Sequence, residues 1–169
     1  VALMPPPKKI ITPLTREDLN SRSHEDLRQF IDAGAVDKSF QLHLNLSPKQ
    51  LTDPTFVERT LTTLREHSIE PMHVCFEVTE ATMMNDNPSI LRSINALKRS
   101  GIRIAIDDFG SGFSSLSSLR KFPADVLKLD GSLIRDLGQQ GYDDPIVRSI
   151  IQLAHSLDMT VIAEWVSTE

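Results

Sequence analysis

Carboxylates recur at the ends of short apolar segments in this sequence. Glu77 and Glu80 close the run Val74-Cys75-Phe76-Glu77-Val78-Thr79-Glu80, and Asp107-Asp108 follows Arg103-Ile104-Ala105-Ile106. Asp130 ends Val126-Leu127-Lys128-Leu129-Asp130, and Glu164 ends Thr160-Val161-Ile162-Ala163-Glu164. Lys128 is the one obvious cation at such a segment end. These acids, gathered in one place, would repel one another without added positive charge. Hard divalent cations such as Mg²⁺ or Mn²⁺ are the natural partners for oxygen ligands. Asn45 can add a neutral carbonyl ligand, and adjacent Asp107 and Asp108 can reach two ions, as paired-metal phosphoryl chemistry requires. The histidines and Cys75 show no zinc-ligand spacing. The turn Asp107-Asp108-Phe109-Gly110-Ser111-Gly112 lets backbone approach a ligand through its glycines. It matches no nucleotide-binding fingerprint strictly. Its Asp-Phe-Gly tripeptide has neither the Gly-rich loop nor the His-Arg-Asp loop of a protein kinase beside it.

Taken singly, each of these residues has a plainer reading. Asn45 can brace a loop, Glu77 and Glu80 can be surface acids, and Asp107 or Asp108 can cap a turn. Lys128 can be an ordinary ion-pair partner, and Glu164 a solvated acid. Cys75 and His43 read as packing residues rather than ligands. The joint arrangement carries the functional reading.

The elements that must position these residues alternate in type. A first helix is expected from about Ser23 to Ala33, stopping at Gly34. Strands are expected at Gln41–Ser47, Val74–Thr79, Arg103–Asp107, Val126–Asp130 and Thr160–Glu164. Between them, Val57, Leu61 and Leu64 share one helix face after Asp53-Pro54, and Ile90, Ile94 and Leu97 share another that ends at Gly101. A short helix is expected within Ser114–Lys121. A last helix has Ile146, Ile150, Leu153 and Leu157 in register after Pro145. Strand-helix-strand repetition at this spacing gives parallel strands with crossover helices. Within the strands, Leu42, Leu44 and Leu46 oppose His43, Asn45 and Ser47. Val74, Phe76 and Val78 oppose Cys75, Glu77 and Thr79. Ile104 and Ile106 oppose Arg103 and Asp107, and Leu127 and Leu129 oppose Lys128 and Asp130. The apolar parity should face the helices and the polar parity a lumen, with the charges late in each strand, where such folds bind ligands. A half-exposed antiparallel sheet would show the same alternation, but hairpins need only short turns. The count of strands falls short of the roughly eight of a closed (β/α)8 barrel, so an incomplete barrel with open edges is expected.

With 169 residues, 40% of them hydrophobic, the chain suits one domain with a sizeable core. The net charge of −5 argues against a DNA or RNA duplex as partner. No apolar stretch approaches a membrane span, and a lone cysteine fits a cytoplasmic setting, free or as the cytoplasmic part of a membrane-bound protein. Pro5-Pro6-Pro7-Lys8-Lys9 reads as an extended lead-in.

As a set, these motifs resemble the EAL domain family. Asn45-Leu46-Ser47 resembles its Asn-x-Ser segment, and Glu77-Val78-Thr79-Glu80 its Glu-x-Thr-Glu motif. Asp107-Asp108-Phe109-Gly110-Ser111-Gly112-Phe113-Ser114-Ser115-Leu116 resembles its Asp-Asp-Phe-Gly loop, Lys128-Leu129-Asp130 its Lys-x-Asp strand, and Ala163-Glu164 the start of its Ala-Glu-Gly-Val-Glu motif. The resemblance implies a modified (β/α)8 TIM-like barrel, incomplete here, with residues 1–22 as lead-in or remnant of its N-terminal part and 23–169 as the partial domain. It implies hydrolysis of cyclic di-GMP to pGpG with Mg²⁺ or Mn²⁺, commonly as a homodimer fused to or regulated by a sensor domain. By matching motif, Asn45, Glu77 and Asp107 would be metal ligands and Asp108 would serve a second metal. Lys128 would hold the attacking water, and Glu164 would act at the second metal and the water. Glu80 would brace the Asp-Asp-Phe-Gly loop, and Asp130 would lie beside the metals and the bound phosphate. The sequence also departs from the pattern. The Glu-Ala-Leu motif is absent, with Val1-Ala2-Leu3 the nearest match. Trp165 stands where the family has glycine, and Ser167 where it has a second glutamate. These departures motivate the alternative of an inactive domain that binds cyclic di-GMP or a protein partner.

Overall fold

The computed structural model describes residues 41–112, 116–134 and 144–164. The expected lead-in, the helix from Ser23 to Ala33, Trp165 and Ser167 lie outside them. Among the described residues, five strands form one sheet: β1 (Leu42–Asn45), β2 (Val74–Thr79), β3 (Arg103–Phe109), β4 (Val126–Leu129) and β5 (Thr160–Ala163). All pairings are parallel and the spatial order is β1-β2-β3-β4-β5. A doubly wound sheet reverses its strand order at a switch point. The described strands do not reverse, so crossovers of one hand put the helices that connect them on the same face. The other face is then the inner wall of a barrel segment.

The α-helices among the described residues are α1 (Pro48–Thr52), α2 (Phe56–Glu66), α3 (Glu80–Met83), α4 (Pro88–Arg99), α5 (Leu116–Lys121), α6 (Gly131–Ile134) and α7 (Pro145–Ser156). Their boundaries follow local chemistry. Ser47 and Gln50 form a reciprocal capping box at α1. Asn87 caps α4 by accepting from Ser89 N, with Pro88 in its first turn. Gly101, at φ 91°, ends it in the left-handed conformation. Asp144 caps α7 in the same manner through Ile146 N. No helix among the described residues is long and apolar enough to cross a membrane.

The two strand parities build two cores. Leu44, Phe76, Val78, Ile104, Ile106, Leu127 and Leu129 join the helices in the main one, with Leu51, Phe56, Ile90, Ile94 and Leu97 fully or almost fully buried against them. On the inner wall, Cys75, Ala105 and Val126 are buried together, with Ile162 packed on them. The inner face is therefore not polar throughout. Cys75, Ala105 and Val126 form an apolar layer between Arg103, at the N-terminal start of β3 with Gln41 and Thr160 as partners, and the charged residues nearer the C-terminal strand ends, the layered arrangement of barrel interiors. The last helix also turns differently from its expected register. Val147 and Ala154 are buried, Ile150, Leu153 and Leu157 pack beside them, and Ile146 is 64% exposed. Ile146 sits in the first turn, where its amide satisfies the Asp144 cap, and the stripe that meets the sheet begins one residue later.

Candidate active site

The charged side chains of the inner wall meet above the apolar floor. Glu77 is the fourth residue of β2 and only 3% exposed. Lys128, third in β4, is equally buried. Its Nζ lies 2.9 Å from Glu77 Oε1 and 2.8 Å from Glu164 Oε1, and it donates a very short hydrogen bond to Asp107 Oδ1. One ammonium thus faces carboxylates from three other strands or strand ends.

Asp107 and Asp108 both belong to this site because β3 does not stay regular. Ile106 pairs with Leu127 and Phe109 with Leu129. Two residues of β3 therefore stand against Lys128 alone, a β-bulge. Asp108 takes up the extra residue with φ 54°, a conformation unusual outside glycine that aspartate tolerates better than most residues. Without the bulge, consecutive side chains would point to opposite faces. With it, carboxylate oxygens of Asp107, Asp108 and Glu164 lie within 4.8 Å of one another.

The remaining expected positions surround this cluster. Asn45 ends β1 beside Glu77, its partner in register, and is exposed. Glu80 opens α3 and is buried, and its Oε2 accepts a hydrogen bond from Gly110 N at 3.1 Å. A Cβ on Gly112 would come within 2.9 Å of Glu80 Oε1, so the turn is held closely over this carboxylate. Asp130 follows β4, with its backbone N–H on Phe109 O and its Oδ1 accepting from Ser132 N. Its carboxylate is not part of the close group formed by Asp107, Asp108 and Glu164. A cavity of about 300 Å³ opens next to Asp108, lined by Thr79, Glu80, Ala81, Met84, Ser111 and Gly112.

His43 is the residue that sequence reasoning placed in the packing and the structure places in the site. Its Nδ1 lies 2.9 Å from Glu77 Oε1. Its parity, shared with Asn45, was the only sequence signal for this.

The electrostatics follow from crowding. Burial by itself would raise the Glu77 carboxyl, but hydrogen bonds from His43 and Lys128 outweigh it and hold Glu77 at about 2. Asp107 is pushed up by burial, against its hydrogen bond to Lys128, and the charges of Glu77 and Glu164 reinforce the rise. Lys128 resists the downward pull of burial because Asp107, Glu164 and Glu77 all bond to it, and its pKa is raised. Lys128 cannot neutralise Glu77, Asp107, Asp108 and Glu164 together. Among the described residues, Oε2 of the buried Glu77 takes no hydrogen bond or ion pair. An orphaned buried oxygen beside three clustered carboxylates is a donor set suited to hard divalent cations.

Comparison with known proteins places this geometry in context. The family model described as the EAL domain matches residues 9–169. The bifunctional diguanylate cyclase/cyclic di-GMP phosphodiesterase MucR of Pseudomonas aeruginosa is 38% identical over 143 residues, 85% of this chain and 21% of its own length. A solved structure titled PaMucR phosphodiesterase, c-di-GMP complex, superimposes with a TM-score of 0.73 at 35% identity, covering 87% of this chain and 63% of that one. The manganese/cy-diGMP complex of BlrP1 from Klebsiella pneumoniae gives a TM-score of 0.76 at 33% identity, covering 90% of this chain and 38% of that one. The chain spans about a fifth of the length of the curated relatives it matches.

Proposed function

This chain belongs to the EAL domain family, and we propose that it is a cyclic di-GMP phosphodiesterase domain that uses Mg²⁺ or Mn²⁺ to form linear pGpG. The observation that carries this reading is the convergence of Glu77, Asp107 and Glu164 on Lys128, with Asp108 clustered against Asp107 and Glu164, above an apolar floor. MucR is named a cyclic di-GMP phosphodiesterase, and the BlrP1 complex holds manganese with the dinucleotide. Both support hydrolysis over an inactive binding role.

In this reading, Asn45, Glu77 and Asp107 would hold one metal, and Asp108 and Glu164 would serve a second. A bound divalent cation supplies Lewis acidity and offsets charge developing on the phosphate. The chain's own groups do the positioning. Glu77, Asp107 and Glu164 take all three N–H donors of Lys128 in the metal-free site, and a cation that took over one of these carboxylates would free a donor, at a fixed location, to hold the attacking water. Glu164, 2.8 Å from Lys128 Nζ, can accept a hydrogen bond from the same water. The water oxygen would bond to phosphorus as the P–O bond to one 3′ oxygen breaks, and the proton lost by the water would pass to that leaving oxygen, so one water opens the cyclic dinucleotide to pGpG. Glu80 steadies the Asp-Asp-Phe-Gly turn through Gly110 N, which fixes Asp108. Asp130, at the end of β4, would lie beside the metals and the bound phosphate. The floor of Cys75, Ala105 and Val126 excludes bulk water from below, which strengthens these electrostatic interactions. A homodimer and a linked sensor domain belong to the same proposal. Sedimentation of the full-length protein tests the first.

The direct test is turnover of cyclic di-GMP by the full-length protein, with Mn²⁺, with Mg²⁺ and after chelation. Formation of pGpG that stops on chelation is expected. Cyclic di-GMP bound but unconverted with either metal would overturn the hydrolytic reading.

A further inference from the structure

We infer that His43 is a positioning residue that fixes the Glu77 carboxylate so that one particular oxygen is left for a cation. His43 belongs to none of the segments that resemble the family motifs, although it stands two residues before Asn45 on the inner face of β1. Its side chain is 9% exposed, and Nδ1 is 2.9 Å from Glu77 Oε1. A carboxylate only accepts hydrogen bonds, so Nδ1 must carry the proton and donate it. Lys128 Nζ reaches the same oxygen, also at 2.9 Å, from β4. Glu77 is thus gripped at Oε1 from two sides, by donors on β1 and β4. Two donors on one oxygen stop the carboxylate from rotating, and Oε2 is the atom with no protein partner among the described residues.

Lys128 alone would leave this choice open, because either carboxylate oxygen can pair with an ammonium. The imidazole breaks that symmetry. Partners that orient a ligating group commonly matter to metal affinity by 10–100-fold, roughly. The inference rests on the proposed metal role of Glu77, and it predicts an effect on metal affinity before any substrate is present.

The test titrates Mn²⁺ into the full chain, following the electron-paramagnetic signal of free Mn²⁺. His43→Leu keeps apolar bulk but removes the donor, and should weaken binding by about tenfold or more. His43→Asn restores a donor at the position of Nδ1, because its Nδ2 is equally far from Cβ, and should return most of the lost affinity. Nitrogen NMR of the unmutated chain gives the tautomer without any substitution, and Nδ1 should carry the proton. Unchanged affinity in H43L, or an equal loss in H43N, overturns the positioning role while leaving the metal reading intact. A proton on Nε2 alone overturns it as well, even if neither variant folds. Absence of Mn²⁺ binding by the unmutated chain overturns the metal reading and this inference with it.

Discussion

Lys128 Nζ and Glu77 Oε1 lie 2.9 Å apart, and both side chains are almost completely buried. An ion pair so placed stabilises little against an apolar alternative, but breaking it leaves a buried charge without compensation. Lys128→Met removes the ammonium that Glu77, Asp107 and Glu164 share. The metal-free variant should lose about 3–5 kcal/mol of stability, and Mn²⁺ should raise its melting temperature more than that of the unmutated chain. Equal metal-free melting of the two proteins would show that the ammonium does not hold the cluster together.

Asp107→Asn keeps size and removes one charge from the most crowded acid. It should weaken Mn²⁺ binding and cut turnover by roughly a hundredfold, equivalent to about 3 kcal/mol in the barrier. A variant that retains both metal affinity and rate would remove Asp107 from the ligand set.

Metal affinity should also depend on pH, with a defined sign. The Asp107 carboxyl titrates above its ordinary value of 3.8. In the metal-free chain it keeps its proton to higher pH, and a cation must displace that proton. Affinity for Mn²⁺ should therefore rise with pH through a range above 3.8. Glu77 contributes in the opposite sense to folding. With its carboxyl held at about 2 against an ordinary 4.5, its stabilising contribution is complete above 4.5 and is lost as pH falls towards 2. Glu77→Gln should flatten part of the acid limb of a chemical-denaturation series.

Gly110 has φ 98°, and a Cβ there would fall 2.2 Å from Leu133 Cδ1. Gly110→Ala must strain the backbone and displace Leu133, at a cost of about 1–3 kcal/mol. Because Gly110 N is also the donor to Glu80, the variant should lose metal affinity through Asp108. Circular-dichroism melts and Mn²⁺ titration read the two effects separately.

Cys75 sits in the inner floor, fully buried, with its thiol pushed up to about 12 by burial. The thiolate is the reactive form, so Cys75 should resist alkylation at neutral pH until the chain unfolds. Labelling of the native protein at the rate of free cysteine would mean that the floor is open to solvent.

Much of the framework was legible from neighbouring residues alone. Period-two alternation in Leu42–Leu46 and Val74–Thr79 marked which strand face meets the helices. Asp53-Pro54, Gly101 and Pro145 marked helix ends, because helix termini place special demands on backbone groups within a turn, whereas the caps at Asn87 and Asp144 emerged only in the structure. The strand-end acids were legible for the same reason, since the strands were placed correctly and each acid was read relative to its own strand.

What only the tertiary structure decided depends on contacts across the sheet. The pairing of His43 with Glu77 spans 34 positions, and that of Lys128 with Asp107 spans 21. Both depend on strand register, which local pattern does not specify. The bulge that brings Asp107 and Asp108 to one site breaks the alternation by which the strand was recognised. Ile146 has the right spacing for the last helix's apolar face, yet it is exposed, because the helix's rotation is set by the sheet it packs on. Propensity and periodicity act over a few residues, whereas the distances between charges on different strands are set by how the sheet curves.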